Sequence, residues 1–104
     1  MNNRYITVDG KQTEKIKRNV KVNITEDDLK HDIETGNAKY HVKGKLDYQV
    51  EGDVKEKFSS RLETNVTEDI QIKSVNSTIE IEAAESIRLK TGQSSILLKN
   101  DGTI

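Results

Sequence analysis

From Ala38 to Ile72 apolar and polar positions alternate. The even positions read Ala38, Tyr40, Val42, Gly44, Leu46, Tyr48, Val50, Gly52, Val54, Glu56, Phe58, Ser60, Leu62, Thr64, Val66, Glu68, Ile70 and Ile72. Twelve of these eighteen are apolar, and every odd position between them is polar or charged. A period of two marks a β segment with one face turned inward, and it has no helical component. A single strand of that length would run roughly 115 Å at about 3.3 Å per residue, far longer than ordinary strands, so turns must divide it without disturbing parity. An eight-residue repeat does this: Val42-Lys43-Gly44 is followed by Val50-Glu51-Gly52, Phe58-Ser59-Ser60 and Val66-Thr67-Glu68.

Outside this run the step is eight or nine residues, through Ile24, Ile33 and Val42 on one side and Ile81, Leu89 and Leu98 on the other. A nine-residue step reverses parity, so the extra residue belongs in a turn. Glu26-Asp27-Asp28, Thr35-Gly36-Asn37, the surroundings of Asn76 and Thr91-Gly92-Gln93 carry turn chemistry at the required places. Asn100-Asp101-Gly102 signals a last turn before Ile104. The pattern predicts an all-β chain of about ten short strands with no helix and no linker. It has a partly ordered lead-in over residues 1–15, where Ile6 and Val8 alternate, and repeats over residues 16–104.

Composition makes this pattern difficult for one chain to satisfy. Only 32% of the 104 residues are apolar and 34% are charged, with one Phe and no Trp, Pro or Cys. A small domain built from that inventory has a thin core and no disulfide to reinforce it. Low hydropathy and many charges are the marks of disorder, but a net charge of −1 and the strict alternation oppose that reading. No stretch has the apolar length of a membrane span or a signal peptide. The 17 basic and 18 acidic residues are interspersed, leaving no basic face for nucleic acid.

Short strands with one apolar face bury it by stacking into a solenoid. Wound alone, three eight-residue sides make a coil of about 24 residues, so the chain would give about four coils with two open sheet edges. Three chains wound together give a prism of about ten layers, roughly 50 Å tall at about 4.8 Å per layer. Such a homotrimer also triples the core available to each chain. Its shared interior is expected to hold Ile24, Ile33, Val42, Gly44, Leu46, Tyr48, Val50, Gly52, Val54, Phe58, Leu62, Val66, Ile70, Ile72, Ile79, Ile81, Ile87, Leu89, Ile96 and Leu98.

The tandem Val-x-Gly octads at 42 to 52, the degenerate copies on either side and the closing stretch Glu85 to Ile104 resemble the C-terminal region of the valine-glycine repeat spike protein of type VI secretion (VgrG). That family is in turn similar to the tail-needle proteins of contractile bacteriophages. The likeness covers about residues 16 to 104, and its closing stretch is the more specific part. It implies an intertwined, homotrimeric, triple-stranded β-helix driven through a target membrane when a contractile sheath fires. The implied partners are a PAAR-type tip protein or effector at the far end and the tube protein, reached through upstream domains. The implied location is the bacterial cytoplasm on assembly, followed by secretion into the target cell. Base and oligonucleotide-fold domains of full-length members are not in this sequence, which therefore reads as a fragment.

Catalytic chemistry is not expected. There is no Cys, and His31 and His41 have no matching triad arrangement. His41 falls on the polar parity and reads as solvated. His31 shares parity with Leu29 and Ile33, so three copies near an axis are a candidate metal or anion site, set against a corner or hydrated histidine. Glu56 and Glu68 fall on the inward parity, where unpaired charge is costly, and both are expected near turns. Asn23-Ile24-Thr25, Asn65-Val66-Thr67 and Asn76-Ser77-Thr78 match the glycosylation acceptor pattern by chance. Asp101-Gly102 reads as a turn rather than a calcium ligand. No cofactor is expected, and a phage-type tail fibre or an effector- or receptor-binding adaptor is the alternative function.

Overall fold

The computed structural model describes residues 2–104. The chain is extended and non-helical, and it divides into two units, Met1–Glu51 and Gly52–Ile104. None of the described residues lies in a helix long and apolar enough to cross a membrane.

In the first unit the backbone bends at Asp9-Gly10, Lys17-Arg18, Thr25-Glu26-Asp27, Glu34-Thr35-Gly36 and Lys43-Gly44, then at Glu51 where the unit ends. Successive bends begin eight or nine residues apart. The step lengthens to nine after each three-residue bend, at 25–27 and at 34–36. The added residue is thus taken up in the bend, and the alternation resumes on the same side. Bends at 9–10 and 17–18 share this spacing, so the repeat reaches back into the lead-in segment.

The second unit bends at Gly52, Ser59-Ser60, Thr67-Glu68, Val75-Asn76-Ser77 and Ala84-Glu85, with the same long step after its one three-residue bend. Beyond this the series stops. Strand β1 (Ser86–Thr91) and strand β2 (Ser94–Lys99) form an antiparallel hairpin, with Ile87 opposite Leu98 and Leu89 opposite Ile96. The two-residue loop Gly92-Gln93 has φ +56° at Gly92 and no positive φ at Gln93, which is the II′ geometry that matches strand twist.

Two expectations are corrected here. Of about ten expected strands, only β1 and β2 form among the described residues, because a strand needs a ladder partner and the other described segments have none in this chain. The step from Leu89 to Leu98 is not another corner: the chain reverses at Gly92, so these two residues lie on facing strands.

Candidate assembly surface

Each stretch between bends presents three alternate side chains on the parity of the residue just before the next bend. That last position is Val8, Ile16, Ile24, Ile33, Val42, Val50, Phe58 and Val66 in turn, then Ser74 and Ala83. The eight large ones are all between 45% and 54% exposed. The middle position is the most open. Tyr40 and Tyr48, which occupy it, are 81% and 82% exposed.

This middle position also carries Glu14, His31, Glu56 and Thr64, while Gln12 and Ser74 are polar at a first and a last position. Glu56 therefore does not sit near a turn as expected; it stands midway between the bends at 51–52 and 59–60, whereas Glu68 lies in a bend. His31 is likewise in mid-segment, between Leu29 and Ile33. Among the described residues no three His, Cys, Asp or Glu side chains converge on a metal position. A threefold site would draw one His31 from each chain. His41 is exposed on the polar parity. Gly44 and Gly52 lie in bends, and a Cβ added to either meets no atom within 4 Å in the chain.

Among the described residues no apolar side chain is buried. The chain exposes 12838 Å², about twice the 5,900 Å² or so expected of a compact protein of this mass. Backbone pairing is equally sparse. Among the described residues, every backbone–backbone hydrogen bond falls within residues 85–103, where a folded chain has about one hydrogen bond per residue throughout. From residue 2 to residue 84, backbone N–H and C=O groups make no bond to one another.

On the opposite side of the ribbon, extended geometry puts residues two apart on one face, and three ion pairs use this spacing. They are Lys30–Asp32 at 3.4 Å, Lys45–Asp47 at 3.6 Å and Arg61–Glu63 at 2.7 Å. All three are exposed, so each contributes little to stability.

The hairpin has one apolar face, formed by Ile87, Leu89, Ile96 and Leu98. Leu97, opposite Arg88, is half-buried on the other. Open hollows flank it, one of about 390 Å³ at the loop end against Leu89 and Ile96, the other about 190 Å³ against Ile81, Ile87 and Leu98. The tail folds back on the last bend. Asn100 donates from its backbone N–H to the Glu85 carbonyl at 3.1 Å and from its side-chain amide to the Ala84 carbonyl at 3.5 Å. The Asp101 carboxylate accepts from the Thr103 hydroxyl at 2.7 Å and its N–H at 3.0 Å, and these bonds hold its pKa below the usual carboxylate value. The sequence marks 100–102 as a turn, but it does not show that Asn100 ties that turn to the bend at 84–85.

No family model, curated protein or solved structure matches the chain.

Proposed function

We propose that the chain is one third of a homotrimeric spike of a type VI secretion system, an intertwined triple-stranded β-helix that punctures a target membrane. One observation carries the reading. Residues 2–84 bend at a regular step and place a large apolar residue before each bend from Val8 to Val66, yet they bury none of these and pair none of their backbone internally. Two other copies would cover that row and supply both ladder partners of each segment. The resemblance of the octads and of the closing stretch to the valine-glycine repeat spike family gives this assembly its task.

The mechanism is mechanical. A prism in which each layer is hydrogen-bonded to layers of other chains resists compression, because no layer can peel away alone. It uses no cofactor and no catalytic group. The exposed apolar face of the hairpin and its flanking hollows provide a seat for a PAAR-type tip protein or an effector. The tube protein would engage domains upstream of this sequence, and contact with the target membrane would be transient. Assembly in the bacterial cytoplasm and secretion into the target cell follow from this role. The same hairpin face also suits the alternative, a phage-type fibre or adaptor that binds a receptor or effector there.

Sedimentation equilibrium of the purified chain tests the assembly. A mass of three chains is expected, and a mass of one chain at micromolar concentration would overturn the reading.

A further inference from the structure

Bend positions put the charges of successive repeats in register, and their signs alternate. The first residue after each bend is Lys45, Asp53, Arg61 and Asp69 in four consecutive repeats. Two residues further on, the series is Asp47, Lys55 and Glu63. Both rows are exposed on the polar side, and each reverses sign at every repeat.

We infer that the chains dock on one another with a stagger of one repeat, fixed by ion-pair ladders along these two rows. The inference rests on the trimer proposed above. In a three-sided assembly each bend carries a chain to the next side, so one side is tiled by a segment of the first chain, the following segment of the second and the one after that of the third. A residue then lies beside the residue one repeat later in its neighbour, where side chains are about 5 Å apart. Arg61 is flanked by Asp53 and Asp69 of two other copies, and Lys55 meets Glu63. Docking without stagger would set every charge against its own kind. A stagger of two repeats would set Asp53 against Asp69 and Lys45 against Arg61. The ladder begins where the alternation begins, since Lys21, Lys30 and Lys39 occupy the second row in earlier repeats without a change of sign.

The competing account of Arg61 is its own-chain pair with Glu63 at 2.7 Å, and charge reversal separates the two. Arg61→Glu in the full chain is expected to lower the melting midpoint of the trimer by roughly 5 °C or more at low salt, and by less in 1 M NaCl. Combining it with Lys45→Glu, Asp53→Lys and Asp69→Lys, which reverses the whole row, recovers most of the loss, whereas combining it with Glu63→Lys does not, because that lysine meets Lys55 of a neighbour. Rescue by Glu63→Lys, or a wild-type trimer whose row-reversed quadruple variant stays as unstable as Arg61→Glu, overturns the stagger and leaves the trimer standing. A wild-type chain that sediments as a monomer overturns both.

Discussion

Ser60 and Glu68 stand where Gly44 and Gly52 stand in the two preceding copies, and the backbone bends at all four. The bends therefore do not depend on glycine. Among the described residues only Gly92, at φ +56°, and Gly102, at φ +90°, use the left-handed region, and neither belongs to the repeat. Substitution should separate the two kinds of glycine. Gly92→Ala is expected to cost about 1 kcal/mol, because a Cβ is strained at that φ. Gly44→Ala should leave the melting midpoint unchanged within about 2 °C. Parallel thermal melts would check this, and an equal loss in both would mean that another chain's backbone passes close to Gly44. The Val-x-Gly spacing marks the corner in the sequence, but no positive φ in this chain demands the glycine.

At the scale of elements, the period was legible because it is written twice, once in the alternation and once in the turn residues. Thr35 and Gly36 fall in a bend, as their chemistry suggested, and so does Asn76. The hairpin was not legible by the same route. Thr91-Gly92-Gln93 has the composition of a corner, but the bends of the repeat have no positive φ whereas the reversal has Gly92 at φ +56°. The available signal was local: two six-residue runs separated by Gly-Gln, a two-residue spacer with Gly first. Glu56 was misplaced for a related reason, since parity gives the side of the ribbon a residue takes but not its distance from a bend. Segment length gives a prediction of its own. Inserting one alanine between Lys55 and Glu56 reverses the parity of Phe58 against Val54, so assembly is expected to fail on size exclusion. Duplicating Glu51–Phe58 keeps parity and should add a repeat without loss of assembly.

For the whole molecule, the governing quantity is the surface a single chain leaves open, about twice that of a compact protein of its mass. Composition foretold the thin core; it could not say that residues 2–84 would lack internal pairing altogether. In the proposed trimer, a chain of this kind has little to hold it once its partners leave. Dilution should therefore lower the melting midpoint, as for any obligate assembly. Amide exchange at low concentration should leave residues 2–84 unprotected, with slow exchange, where present, limited to the hairpin and its tail. Protected amides throughout the repeats at nanomolar concentration would count against the needle.

The unpaired stretch from residue 2 to residue 84 also bears on how the protein is made. If the ribbon assembles as proposed, its backbone bonds begin only when a sister copy lies alongside, so a nascent copy with both edges free gains nothing by waiting at the ribosome. For the proposed trimer, translation of several copies from one messenger would keep sisters near, and pairing of the free edges with unrelated strands is the hazard that such proximity would outcompete.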